Sequence, residues 1–149
     1  MKSGKNVPRN PRSVKTRFAV KFVEAMKKLD KKRPTTAYKR YLAVRAAACV
    51  SLASAVGPRR AWSRAVLKNL IMPRGRKSYP AVVISPRKRV GNNNPKRREL
   101  EEEDDLRRLV PGGEGMGFCR LLTESAHYIQ CLRDQVQVMT SMLDHCYST

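Results

Sequence analysis

The chain has 149 residues, and its 32 Lys and Arg against 12 Asp and Glu give a formal charge of +20 at pH 7. That length and an aromatic content of 6% leave room for one domain, or for two small ones that each need help to build a core. No apolar stretch suits a membrane span, since Tyr41 to Val56 is short and holds Arg45, and no apolar signal core follows Met1. The charge is unevenly divided. Residues 1–98 hold 28 Lys or Arg and only two acids, Glu24 and Asp30, for a charge of +26, and residues 99–149 carry −6. Such asymmetry suggests a basic region that meets polyanions or acidic surfaces, joined to a neutral-to-acidic pairing module. Residues 1–23 contain no acid and fit an organelle transit peptide superficially, a minor alternative beside the pattern of the last third.

Three helices are expected in the basic half, residues 1–72. Phe18, Phe22, Ala25 or Met26, and Leu29 recur at helical spacing from about Lys15 to Leu29. After Pro34-Thr35-Thr36, a helix-start pattern, Tyr38, Tyr41, Leu42, Arg45, Cys49, Leu52 and Val56 define a longer helix that stops at Gly57-Pro58. A third helix runs from Arg60 to Ile71, with Trp62, Ala65, Val66, Asn69 and Leu70. Three Phe and one Trp in the whole chain imply a thin core, so marginal order is expected here.

Residues 73–98 read as a flexible basic linker. Arg74, Arg76 and Lys77, then Arg87, Lys88 and Arg89, then Lys96, Arg97 and Arg98, form spaced clusters among Pro, Gly, Ser and Asn. Clusters of this kind serve as nuclear import signals, and the plainer reading of any one is a solvated charge run or a nonspecific nucleic-acid contact. Ser85-Pro86 fits a proline-directed phosphorylation site or, more simply, a turn, and Ala81 to Ile84 fits a short docking segment or a locally extended linker.

Residues 99–144 carry the most informative pattern. A short helix with Leu100, Leu106, Leu109 and Val110 stops at Pro111, and Gly112, Gly113, Gly115 and Gly117 form a tight loop. A longer helix follows, in which Ile129, Val136 and Leu143 make one heptad row and Leu132 and Met139 the other. Leu122 and Ser125 begin this stripe at the same three- and four-residue spacing, Leu121, Ala126 and Tyr128 widen it at its start, and Glu124, Arg133, Asp134 and Gln137 sit around it. Two such helices cannot bury both faces alone, so the segment is expected to complete its core with a second chain.

Arg107-Arg-Leu-Val-Pro111, Met116, Leu121-Leu122, Tyr128-Ile129 and Leu132 together resemble the helix–loop–helix of plant basic helix–loop–helix (bHLH) proteins. The run Ala53 to Ala65, ASAVGPRRAWSRA, narrows the resemblance to the atypical, short, growth-repressing bHLH group that acts in brassinosteroid and gibberellin responses. The resemblance implies an all-α fold: a helix–loop–helix that forms a parallel four-helix bundle on dimerisation, preceded by the basic helical region and the linker. It implies a shared core of Leu106, Leu109, Leu122, Ile129 and Leu132, and the stripe adds Ala126, Val136 and Met139 to the expected dimerisation residues.

The arm decides what such a dimer does. DNA-binding members of the bHLH family read bases with His, Glu and Arg on a helix upstream of the first core helix. The matching stretch here, Arg87 to Arg98, has no His and no Glu, and Gly91, Asn92, Asn93, Asn94 and Pro95 interrupt it. Glu99, Glu101, Glu102, Glu103, Asp104 and Asp105 then set six carboxylates where phosphate would lie.

No enzyme, cofactor, metal or small-molecule substrate is expected. Cys49, Cys119, Cys131 and Cys146 lack C-x-x-C spacing, and His127 with Cys131 gives two ligands at most, so a helix-surface pair is the favoured reading. No nucleophile–base motif is present. The expectation is a nuclear regulator without sequence-specific DNA binding, which forms heterodimers with HLH or bHLH proteins (a homodimer being a second option) and represses cell-elongation genes by blocking its partners' DNA binding. The alternatives are a DNA-binding bHLH factor with a degenerate arm, and a nonspecific nucleic-acid-binding protein that uses its +26 half.

Overall fold

The computed structural model of the chain describes residues 13–32, 34–71 and 95–148. They form five helices: α1 (Val14–Lys32), α2 (Ala37–Val56), α3 (Ala61–Ile71), α4 (Pro95–Leu109) and α5 (Phe118–Tyr147). The fold is all-α, with no strand among the described residues.

Local chemistry sets the boundaries. The Thr36 hydroxyl accepts a hydrogen bond from Lys39 N at 3.2 Å, which starts α2. Gly57, at φ 81°, ends it by donating its N–H to Ala53 O at 2.9 Å. The turn into α3 is tied by Ser63, whose hydroxyl reaches Gly57 O and Arg60 O, and by Arg64, whose guanidinium donates to Pro58 O at 2.6 Å. Between α4 and α5, Gly113 N donates to Val110 O at 2.9 Å and Met116 N to Gly113 O at 3.2 Å. Arg107 braces this loop by donating to Met116 O while it pairs with Glu103 one turn back.

α1 and α2 pack as an antiparallel hairpin, and α3 folds back against α2. Phe18 and Phe22 stack at 5.4 Å and are both buried. They belong to one buried cluster with the α2 residues Ala48, Leu52, Ala53 and Ala55, three of them small. Alanine lets helices approach closely, which is how few aromatics close this core. Trp62 of α3 completes it at 1% exposure. Each of Phe18, Phe22, Leu52 and Trp62 contributes on the order of 1.5–3 kcal/mol by leaving water. The core therefore joins the basic half to the last third of the chain, which adds Val110, Met116, Leu121, Cys131 and Val138 to it.

α5 touches α1, α2, α3 and α4, and three sequence expectations change as a result. The stripe of α5 does not wait for a second chain along its whole width: Leu121, Tyr128, Cys131, Val138 and Met142 pack within the chain. α4 begins at Pro95, so the last four residues assigned to the linker are helical. Proline at a first helical position is tolerated because its missing N–H has no partner there anyway. Finally, Tyr38 and Tyr41 continue the apolar period of α2 but are exposed, because they lie at the closed end of the hairpin, away from α5.

Two loop glycines separate backbone strain from crowding. Gly112 and Gly115 sit at φ 72° and 77°, but a Cβ on Gly112 would lie 2.9 Å from Ala65 Cβ, whereas one on Gly115 meets nothing. Gly115→Ala should cost about 1–2 kcal/mol from backbone strain alone. Gly112→Ala should cost about 1–3 kcal/mol more, because it also crowds α3. Urea unfolding of the two variants measures the gap; equal losses would show that the loop does not rest on α3.

Candidate protein-pairing surface

α5 is held in place by a polar seat for the start of α3. Glu124 is buried, and its Oε2 accepts hydrogen bonds from Ala61 N at 2.9 Å and Trp62 N at 3.3 Å. These N–H groups open α3 and have no partner within it, so a carboxylate from α5 caps the helix and meets the positive end of its dipole. Arg60 adds a longer contact, 3.9 Å from Glu124 Oε1. One turn along α5, His127 Nδ1 accepts from Trp62 Nε1 at 3.1 Å, and the Trp62 ring packs on Tyr128 at 4.8 Å between centroids.

Cys131 closes the seat, with Sγ 3.6 Å from His127 Nδ1. Burial, then the Asp134 carboxylate, pushes its thiol up to about 11, so it stays protonated at neutral pH. Burial chiefly, and the Arg60 guanidinium next, lower His127 below its ordinary value, with Glu124 opposing them. A neutral imidazole with a bare Nδ1 is the form that accepts from Trp62. Burial raises Tyr128 as well, and Cys49 adds to the shift.

This seat is not visible in the sequence pattern. There Glu124 falls among the polar surroundings of the stripe, and His127 with Cys131 reads as a surface pair; Glu124 and Cys131 are buried instead. The signal that marks them is their period: Glu124, Tyr128 and Cys131 share the face of Leu121, not that of Leu122. Among the described residues no group of three His, Cys, Asp or Glu is placed to hold a metal ion.

With that face turned inward, the expected dimerisation residues divide. Leu109, Leu122, Ile129 and Val136 stand at 43%, 46%, 52% and 62% exposure, with Ala126 exposed among them and Phe118 and Leu143 extending the row. Leu106, Leu132 and Met139 are half-buried and pack against the core. Ile129, Leu132, Arg133, Val136 and Gln137 line a shallow groove along α5. The structure thus keeps one heptad row free and spends the other within the chain.

Of the basic clusters, Arg74, Arg76, Lys77, Arg87, Lys88 and Arg89 lie outside the described residues, as do Ser85-Pro86 and Ala81 to Ile84. Lys96, Arg97 and Arg98 fall on the first turn of α4, with Lys96 exposed. The acidic run follows on the same helix, where Glu99, Glu101, Glu102, Asp104 and Asp105 are exposed and Glu103 is half-buried against Arg107. No described helix is long and apolar enough to cross a membrane.

The His127 seat makes stability depend on pH. Its folded value lies below the unfolded one, so its contribution is fully present above the ordinary value of 6.5 and is lost as pH falls through the folded value. Melting temperature should therefore drop between about pH 7.5 and about pH 5.5, and less steeply in His127→Gln, whose carbonyl still accepts from Trp62. The same slope in both proteins would place the titration elsewhere.

A family description, IBH1-like, N-terminal domain, matches residues 11–72, the span that holds α1, α2 and α3. The chain is 34% identical over 161 residues to Transcription factor IBH1 of Oryza sativa subsp. indica, which covers 89% of this chain and 79% of that protein. It is 33% identical, at the same coverage, to the protein of that name from Oryza sativa subsp. japonica. It is also 33% identical over 128 residues to Transcription factor bHLH148 of Arabidopsis thaliana, covering 72% of this chain and 58% of that one. No solved structure matches. Relatives named as transcription factors point away from an enzyme. The matched span is the basic half that seats Trp62 on α5, and the relatives extend the likeness to 89% of the chain: the chain belongs to the IBH1-like family of plant transcription regulators.

Proposed function

We propose that the chain is a nuclear regulator that pairs with HLH or bHLH proteins and withholds them from DNA. One observation carries this reading: the row Leu109, Leu122, Ile129, Val136 and Leu143 is apolar, spaced for a helical partner and exposed in the monomer. A partner's helix–loop–helix laid along that row completes a parallel four-helix bundle with α4 and α5. Such a dimer has one working arm, because the matching stretch of this chain, Arg87 to Arg98, has no His and no Glu and is followed by the carboxylates from Glu99 to Asp105. One arm does not grip two half-sites, so the partner loses specific affinity. The basic clusters from Arg74 to Arg98 serve nuclear import. The genes affected are those of growth by cell elongation, in the brassinosteroid and gibberellin context that the family resemblance implies.

A gel-shift titration tests the mechanism. Adding this protein to a DNA-binding bHLH partner should dissolve the partner's site-specific complex near one equivalent; a slower-migrating complex on the same DNA that is absent on scrambled DNA would contradict withholding. The free row allows a cleaner test of pairing. Ile129→Asp and Val136→Asp should each abolish partner binding, since burying an unpaired carboxylate costs several kcal/mol, yet leave the melting temperature nearly unchanged because both sites are exposed. Leu132→Asp should lose both pairing and stability. Intact pairing in all three variants would remove the helix–loop–helix reading.

A further inference from the structure

We propose that the closed end of the α1–α2 hairpin is a nucleic-acid contact surface, one that grips the phosphate backbone without reading sequence. Lys28, Lys31 and Lys32 on the last two turns of α1 and Lys39 and Arg40 on the first turn of α2 converge across the turn that holds Pro34 to Thr36. All five are exposed, and none of their side chains makes an ion pair among the described residues. Asp30 is the one carboxylate on these turns.

The placement opposes the protein's own electrostatics. α2 has no acid in its first turn and sets two cations at the positive end of its dipole, where positive charge is disfavoured. Repulsion among the five cations adds to that cost, and the Asp30 carboxylate and the negative end of the α1 dipole beside Lys31 and Lys32 relieve it only in part. A line of phosphates relieves both terms, and each contact gains by releasing counterions. Tyr38 and Tyr41 stand beside the cations at 70% and 58% exposure, offering flat faces on which unpaired bases stack. Those faces, and the work of a transcription regulator beside nucleic acid, favour this polyanion over an acidic protein.

The surface is separate from the pairing row. α5 crosses the open end of the hairpin, where Lys15 Nζ donates to Gln137 Oε1 at 2.7 Å and α3 seats on Glu124. The cationic corner is the other end. It is also separate from the arm, whose cations are followed at once by the acidic run of α4.

The test uses the full chain alone, so it stands apart from any result with a bHLH partner. Retention of a short labelled duplex and of its single strand is measured by fluorescence anisotropy across a salt series. The variant Lys31→Gln/Lys32→Gln/Lys39→Gln/Arg40→Gln should flatten the duplex log–log salt slope by about 0.9 for each phosphate no longer neutralised, about 3–4 in all. A charge-matched control, Arg74→Gln/Arg76→Gln/Arg87→Gln/Arg89→Gln, should flatten it by less than half as much. Lys31→Arg/Lys32→Arg/Lys39→Arg should bind like the parent, which guards against loss by misfolding. Tyr38→Ala/Tyr41→Ala should weaken single-strand retention about tenfold or more and leave the duplex unchanged. Equal changes in corner and control variants would show a diffuse field and overturn the assignment. Retention of polyglutamate as tight as that of DNA would overturn it in favour of acidic-protein docking, and salt-labile self-association without DNA retention would assign the corner to the acidic α4 of a second copy.

Discussion

The carboxylate of Glu124 beneath the start of α3 is the constraint on which the rest of the arrangement hangs. A buried carboxylate is tolerated only when it is partnered, and here two backbone N–H groups donate to Oε2 while the Arg60 guanidinium lies 3.9 Å from Oε1. That requirement fixes the rotation of α5 about its axis. Successive residues turn by about 100°, so turning Glu124, Tyr128 and Cys131 inward forces Leu122, Ile129 and Val136 outward. The outer row exists because the inner seat is polar and specific. Trp62 adds the apolar half of the same joint, with its ring against Tyr128 and its N–H on His127.

Much of this is legible in the sequence, where the signal is local. Gly57 after an Ala-rich run, Pro111 before a glycine cluster, and the heptad spacing of Ile129, Val136 and Leu143 mark helix ends and one face without any knowledge of neighbours. Rotation is not legible. A helix with two adjoining apolar stripes reads as one wide stripe, so Leu121 and Tyr128 merge with Leu122 and Ile129, Cys131 looks like a surface partner of His127, and Glu124 looks like a flank. Periodicity counts apolar positions but does not say what covers them. Tyr38 and Tyr41 show the same blind spot: their period is helical, yet no element lies over them. Pro95 is ambiguous for another reason, since a proline that breaks a helix running into it starts one running away from it.

The acidic run of α4 illustrates how charge is placed. Its exposed carboxylates follow three cations at the helix start, while Glu103 turns back to Arg107 and helps to brace the loop before α5. The two arginines before Leu109 therefore differ. Arg107 is spent on Glu103 and Met116 O, and Arg108 stands exposed.

Because one helix serves both the basic core and the outer row, the two are joined by mass action. A ligand of the outer row binds α5 as α1 to α3 hold it, and so stabilises helices it never touches. The converse follows from the same cycle: any change that leaves the seat open for part of the time divides the apparent affinity by the fraction still closed. Under the proposed pairing, substitutions at Phe18 or Leu52, buried beneath the opposite face, would register in a pairing assay as weakened recognition. A genetic screen for pairing would therefore mark residues of the basic half as contact residues, although they act by setting the population of the competent fold.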